Sequence, residues 1–313
     1  MNEELIVSGR NIPGVDPHLH LWHWQIPLYL FLGGLAAGLI FFASLYVIMG
    51  KEDKAPTAIK WASFITPLAL VVGLGALFFD LHHKLYFWRL YTTVRLESPM
   101  SWGAWTLLLV TPLSIVWSAS YLRELVPSWD WKFKWLYDFE AWVIKNRKPF
   151  AWLMIFLSVI LGIYTGILLS AFNARPLWNT SILGPLFLTS GLSTGAATIM
   201  WLSKDHEEKK LFGRIDLLLI AIEIFFIIHM FMGFLASSQV QQEAASLFLG
   251  GEFTVPFWTF VMILGLLVPG FLEVLEWKGY KIPAAVPAFL VLFGGLMFRL
   301  IMVEAGQITR YLY

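Results

Sequence analysis

Ionisable side chains inside long apolar segments are the residues of this sequence best placed to do chemistry. Asp80 ends one apolar run, and Glu223 and Arg299 lie within two others. A charge at membrane depth is costly, so such residues usually pair with one another or mark proton and substrate paths. The candidates for a proton relay are Glu223, Arg299, Glu304, Glu273 and Glu276. A purely structural ion pair that neutralises Arg299 explains the same pattern equally well.

Depth and helical spacing limit how these charges can pair. Arg299 and Glu304 are five residues apart, which places them about 140° apart around a helix, so a direct pair is disfavoured. Glu223, in another apolar run, is the better partner for Arg299. Asp216 is interpreted as an interfacial carboxylate at the start of its helix, where it complements the helix dipole.

The cysteine and histidine counts exclude several redox cofactors. The chain has no Cys, which excludes disulfides, Cys-ligated zinc and an iron–sulfur cluster held by this chain. A membrane b-type haem needs axial His pairs from spans at matching depth, and of 7 His only His229 lies well inside an apolar run. The sequence therefore predicts no haem and no metal site. A redox role would require a diffusible cofactor or an external metal subunit.

Membrane-spanning helices must position these side chains. Of the 313 residues, 58% are hydrophobic and 14% are charged. Soluble domains are about 45–50% apolar and about 25% charged, so an ordinary soluble protein is excluded. The 22 Lys and Arg residues against 21 Asp and Glu residues give no basic excess of the kind that indicates nucleic-acid binding.

Eight apolar runs reach the roughly 20 residues that a bilayer crossing needs. They lie at 25–49, 61–81, 102–122, 149–173, 180–203, 214–236, 254–277 and 284–304. The odd-numbered connections carry 15 Lys and Arg, whereas the even-numbered connections and the two ends carry 6, so the first group is assigned to the cytoplasm. The prediction is an all-α integral membrane protein with eight spans and both termini external. Residues 1–24 form an external tail without the pattern of a signal peptide.

Several motifs, taken in order, resemble the NrfD/PsrC family of polysulfide-reductase-type membrane subunits. They are WHW at 22–24 before LYLFLGGLAAG at 28–38, DL at 80–81 with FWRL at 87–90, SPMSWGAW at 98–105, YTG at 164–166 with NARPLWN at 173–179, and Arg299 with AGQ at 305–307. Because these motifs run from residue 22 to residue 307, the resemblance covers nearly the whole chain.

The resemblance implies a fold of two four-helix bundles, at 25–173 and 174–313. It also implies a subunit that passes electrons between a membrane quinone and an external iron–sulfur protein of the four-cluster type. That protein would connect to a molybdopterin enzyme or a multihaem cytochrome. The implied quinone is menaquinone or ubiquinone, and the implied location is the cytoplasmic membrane of a bacterium or archaeon.

The resemblance further implies a quinone site near the outer face of the first bundle. Its residues would be Tyr29, Tyr164 and Asp80, with His23 close by in sequence. The chain departs from polysulfide-reducing members, which can carry His where this sequence has Tyr29. Because a tyrosine donates a hydrogen bond but holds no positive charge at neutral pH, Asp80 or His23 would exchange the protons.

Aromatic residues beside these positions have two interpretations. Trp24 and Trp102 would form walls for the quinone ring, or they are ordinary aromatic residues at the membrane interface. Two other functions also stay open: a secondary transporter and a purely structural anchor. A transporter is less favoured, because Gly- or Pro-broken helices in matching halves are not evident.

Overall fold

The computed structural model describes residues 22–309, in which every regular element is helical. The long helices are α1 Gln25–Ile48, α2 Ala62–Asp80, α3 Pro99–Ala119, α4 Arg147–Ser170, α5 Leu183–Leu202, α6 His206–Leu235, α7 Thr254–Trp277 and α8 Ala285–Ile308. Shorter segments lie at Glu52–Lys54, Thr57–Trp61, Lys84–Tyr86, Arg89–Thr92, Leu122–Leu125, Lys134–Lys145 and Gln239–Ser246. Most of the predicted tail, residues 1–24, lies outside the described range.

Seven helices in the described range are long and apolar enough to cross a membrane, which confirms the all-helical membrane class. The exception among the long helices is α5, whose sequence is rich in Gly, Ser and Thr. It lies among α1, α4, α6 and α8. A helix enclosed by other helices presents little surface to lipid, so small and hydroxyl residues can replace large apolar ones. The eighth crossing and the external placement of both termini stay predictions.

Small residues let α1 and α5 approach closely. A Cβ atom added to Gly38 would lie 2.2 Å from the Gly191 carbonyl oxygen, and one added to Gly195 would lie 2.7 Å from the Gly38 carbonyl carbon. Small residues on both helices permit this close approach of their backbones. This contact also joins the two predicted bundles directly, because α1 belongs to one and α5 to the other.

The segment between α2 and α3 packs over the ends of these helices. The indole Nε1 of Trp105 donates to the carbonyl oxygen of Tyr91 at 3.3 Å, and that of Trp102 donates to the carbonyl oxygen of Leu96 at 2.8 Å. Both bonds hold residues of the segment against the first turns of α3. The short helix Arg89–Thr92 is thereby fixed above the space between α1 and α4.

The beginning of the described chain is fastened to its end. The backbone N–H of Trp22 donates to Gln307 Oε1 at 2.8 Å, and Gln307 Nε2 donates to the Trp22 carbonyl oxygen at 2.9 Å. The Trp22 ring stacks on Trp178 at 5.3 Å, and the Trp178 indole donates to the Met302 carbonyl oxygen at 2.8 Å. The residues just before α1 are therefore positioned by α8.

Candidate functional site

A cavity of about 140 Å³ lies among α1, α2, α3 and α4, beneath the Arg89–Thr92 segment. The residues with polar groups in its lining are Trp22, Tyr29, Asp80, Tyr91 and Tyr164. The other lining residues are Ile, Leu, Met and Ala. Apolar cavities of about 150 Å³ bind rings the size of benzene. The cavity therefore has the size and lining for one six-membered ring with polar substituents.

Two buried phenols lie next to each other in the lining of this cavity. Tyr29 on α1 is 3% exposed and Tyr164 on α4 is 7% exposed, and their side chains are close enough to interact. Within the described residues, the Tyr29 hydroxyl makes no hydrogen bond of regular geometry. A buried hydroxyl without a partner costs about 1–3 kcal/mol. Because the Tyr29 hydroxyl lies beside the cavity, it can donate a hydrogen bond to a polar ligand bound there.

A glycine on α3 sets the position of the Tyr164 ring. A Cβ atom added to Gly103 would lie 1.8 Å from Tyr164 Cζ and 2.2 Å from its hydroxyl oxygen. The ring therefore packs directly on the α3 backbone, which no other residue type would permit without displacing it. Gly103 lies within the SPMSWGAW motif, so this motif contributes a surface for the phenol.

Asp80 and Tyr91 lie at the rim of the cavity. Asp80 is the last residue of α2 and is half-buried, and the following residue, Leu81, is extended. Tyr91 belongs to the short helix above the cavity, and burial raises the pKa of its phenol. Tyr91 therefore stays a neutral hydrogen-bond donor, whereas Asp80 supplies a carboxyl group at the rim.

The structure brings together three of the six residues predicted for quinone binding and proton exchange: Tyr29, Tyr164 and Asp80. The other three do not line the cavity: His23, Trp24 and Trp102. His23 and Trp24 are exposed, and Trp102 is 52% exposed. Trp22 and Tyr91 line the cavity but were not assigned to it from the sequence. Trp22 precedes His23 and Trp24 in the WHW motif. The motif was therefore a correct indication of the site, although a different residue of it lines the cavity.

Arg299 lies in a separate, fully buried cluster between α5, α6 and α8. Its Nη1 donates to Ser190 Oγ at 2.6 Å and to the Gly295 carbonyl oxygen at 3.0 Å, and its Nη2 donates to the Phe187 carbonyl oxygen at 3.3 Å. Glu223 interacts with the same serine hydroxyl and electrostatically with Arg299. No direct ion pair joins the two charges within the described residues, so Ser190 bridges them.

Asp216 corrects one expectation from the sequence. The residue is fully buried rather than interfacial, because α6 begins at His206 and not near residue 214. Ser193 Oγ donates to Asp216 Oδ1 at 2.5 Å, and the carboxyl group of Glu273 on α7 faces Asp216 closely enough to interact. Both Glu273 oxygens lack a regular hydrogen bond within the described residues.

The remaining relay candidates, Glu276 and Glu304, are less buried than Asp216 and Glu273. Glu276 lines a surface cavity of about 150 Å³ together with Glu273, Lys210 and Arg214. Glu304 is exposed on α8 and forms no ion pair with Arg299, as the helical spacing predicts. Four acids, Glu276, Glu273, Asp216 and Glu223, therefore follow one another toward Arg299, each interacting with the next.

Within residues 22–309, seven apolar helices long enough to cross a bilayer indicate a multi-pass integral membrane protein. The chain belongs to the NrfD family, because the profile described as "Polysulphide reductase, NrfD" matches residues 15–310. Members of this family are integral membrane components of respiratory oxidoreductase complexes.

Curated relatives agree with this family. The chain is 33% identical to Protein NrfD of Escherichia coli (strain K12) over 306 residues, which covers 92% of this chain and 96% of the relative. It is 31% identical to the C subunit of polysulfide reductase from Wolinella succinogenes over 301 residues, with 92% and 94% coverage. Protein NrfD homolog of Haemophilus influenzae is 27% identical over 271 residues, with 82% and 84% coverage.

Proposed function

We propose that this chain is the quinone-reactive membrane subunit of a respiratory oxidoreductase. It would exchange electrons between menaquinone or ubiquinone and an external iron–sulfur protein, which passes them to or from a molybdopterin subunit or a multihaem cytochrome. The observation that carries the proposal is the cavity where Tyr29, Tyr164 and Asp80 meet between apolar walls. The relative from Wolinella succinogenes supports it, because its name denotes one subunit of a polysulfide reductase that has several.

The residues around the cavity fit a quinone head group. Its apolar walls would hold the ring, and Tyr29 and Tyr164 would donate hydrogen bonds to its carbonyl oxygens. The Tyr29 hydroxyl, which lacks a regular partner among the described residues, would gain one. When bound, a quinone supplies two-electron, two-proton redox chemistry. The chain's own contribution is to orient the ring and to move protons.

Asp80 is the residue proposed to exchange protons with water. It lies at the rim of the cavity and at the C-terminus of α2, where the helix dipole gives no support to a carboxylate. Helix stability alone therefore does not call for an acid at this position. The rim also adjoins the segment 84–98 on the side predicted to be external, where a partner protein would exchange electrons.

The topology that goes with this function has eight crossings, both termini external and two bundles, at 25–173 and 174–313. The uneven distribution of Lys and Arg supports this orientation. The proposed location is the cytoplasmic membrane of a bacterium or archaeon. Copurification of an iron–sulfur protein with the chain would distinguish this function from that of a secondary transporter.

The decisive experiment replaces Asp80 in the assembled complex. Asp80→Asn keeps the size and the hydrogen-bonding capacity but removes the proton exchanger, so we expect quinone-linked turnover to be lost while assembly is retained. Glu252→Gln is the matched control, since Glu252 is an exposed acid in the connection between α6 and α7, on the same predicted side of the membrane. Turnover by the Asp80→Asn complex near the wild-type rate would refute the role of Asp80. Quenching of Trp fluorescence by a quinone analogue would separately distinguish a quinone site from a structural anchor.

Proton translocation through the second half of the fold is a second candidate activity. The succession of Glu276, Glu273, Asp216 and Glu223 toward Arg299 favours it, because each acid interacts with the next. Exposed Glu304 would not take part. Proton uptake from the cytoplasmic side can be followed in liposomes during quinone turnover. Glu223→Gln should abolish this uptake without stopping turnover. If the wild type and the variant took up the same number of protons per turnover, the cluster would have a structural role only.

A further inference from the structure

The helix Lys134–Lys145, in the connection between α3 and α4, is docked to the rest of the protein by one face. Glu140 and Val143 on this face are 5% and 2% exposed. Glu140 Oε2 pairs with Arg123 Nε at 2.7 Å and accepts from the Trp131 indole at 3.0 Å. Because the helix ends at Lys145 and α4 begins at Arg147, the helix lies at the boundary where the chain enters its next span.

A second face of this helix is aromatic and largely exposed within the described residues. Trp135, Phe139 and Trp142 are 63%, 43% and 57% exposed. Their spacing of four and three residues places them in one row. At 100° per residue, this row lies about 100° around the helix from the buried face. The helix can therefore rest against the protein and against a second, apolar surface at the same time.

The third face is polar, and the connection as a whole is rich in lysine. Lys134, Asp138 and Lys145 are exposed on the side opposite the buried face. The lysines of this connection and of the first turn of α4 are exposed and form no ion pair with any described residue; they are Lys132, Lys134, Lys145 and Lys148. The positive charge beside the aromatic row is thus available to an anion that is not part of this chain.

We propose that the helix Lys134–Lys145 lies in the plane of the membrane interface and binds anionic phospholipids. Its aromatic row would insert among the lipids at the depth that Trp prefers, and the four lysines would contact the negatively charged head groups. We favour anionic phospholipid as the ligand because its head groups complement the charge of the exposed lysines. The cytoplasmic leaflet, which lysine-rich connections face, carries such lipids. This role is separate from the quinone site, because no residue of this helix lines that cavity.

The absence of native cysteine allows a direct test of how the helix lies. Single-cysteine variants W135C, F139C and W142C would be compared with K134C, D138C and K145C, each labelled with bimane in the full chain. The chain would be reconstituted in phosphatidylcholine–phosphatidylglycerol vesicles. We expect lipids with a nitroxide near the head group to quench the first three labels. Aqueous iodide should quench the other three.

Two outcomes of the labelling experiment would overturn the proposal. Equal iodide quenching at all six positions would mean that the aromatic row faces water. Protection of the aromatic positions from both quenchers would mean that protein covers the row, either a second copy of the chain or another subunit. Labels at exposed positions are not expected to disturb folding, which the elution profile of each variant would verify.

A second experiment tests the lipid charge. The variant K132Q/K134Q/K145Q/K148Q would be compared with K51Q/K54Q/K204Q/K278Q, which removes four exposed lysines from other connections on the same predicted side. The measurement is the relative association of spin-labelled phosphatidylglycerol and phosphatidylcholine, read from quenching of Trp fluorescence. A surface lysine contributes up to about fivefold to anionic-lipid binding. We expect the first variant to lose at least about fivefold of the preference and the control to keep most of it. An unchanged preference, or an equal loss in both variants, would refute specific binding at this helix.

Discussion

The cavity among α1–α4 and the Arg299 cluster among α5, α6 and α8 both place polar groups inside apolar helices, but they do so differently. In the cavity, two neutral phenols border about 140 Å³ of space, and the carboxyl group of Asp80 lies at the rim. In the cluster, Arg299 and Glu223 are fully enclosed and share the hydroxyl of Ser190. Neutral groups beside a cavity suit a ligand that binds reversibly, whereas charged groups enclosed by protein suit a fixed structural role.

The largest effect should come from breaking the enclosed cluster. Arg299→Met leaves Glu223 as an uncompensated buried charge, which costs about 3–5 kcal/mol. Thermal unfolding of the full chain in detergent would measure the loss of stability. The double variant Glu223→Gln/Arg299→Met removes both charges and should recover most of that loss. If the double variant were as unstable as the single one, packing rather than charge balance would hold the cluster together.

A smaller effect is expected where the cavity wall meets the backbone. Gly103→Ala places a methyl group where the Tyr164 ring lies, and overpacking of this kind costs about 1–3 kcal/mol. The displaced phenol should also weaken the binding of a quinone analogue, measured by Trp fluorescence. Gly75→Ala is the matched control, because a Cβ atom there meets nothing within 4 Å. Equal analogue affinity in the two variants would contradict the positioning role of Gly103.

The smallest effect concerns a single hydroxyl. Tyr164→Phe removes one hydrogen bond to the ligand, worth about 0.5–1.5 kcal/mol, so the affinity for the analogue should fall by about two- to twelvefold. Stability should change little, because the ring and its packing on α3 remain. Tyr46→Phe alters another buried phenol on α1 that does not line the cavity. An affinity that changes equally in both variants would place Tyr164 outside the site.

The sequence predicted the positions of the helices well because a bilayer tolerates few alternatives. Every backbone polar group must be satisfied within the span, so a run of about 20 apolar residues has to be helical. The start of α6 was missed because His206 to Arg214 is strongly polar, yet the helix continues through it. That extension moved Asp216 from the predicted interface into the buried interior.

The site was only partly predictable. Tyr29, Tyr164 and Asp80 followed from the resemblance to a family, and the structure places all three at one cavity. Tyr91 had no such signal, because its place above the cavity depends on the hydrogen bond between the Trp105 indole and the Tyr91 carbonyl oxygen. The bridge that Ser190 forms between Arg299 and Glu223 could not be predicted either, since a serine in an apolar helix usually donates to the backbone of its own helix.

The two hydrogen bonds between Trp22 and Gln307 connect the cavity among α1–α4 with the helix that carries Arg299. Trp22 forms part of the cavity wall, while Gln307 lies on α8, two turns beyond Arg299. Any displacement of α8 along its axis therefore pulls on the wall of the cavity. By thermodynamic reciprocity, a ligand that favours one position of Trp22 biases the position of α8 by the same free energy. A ligand that shifted Trp22 would therefore act on the helix that carries Arg299.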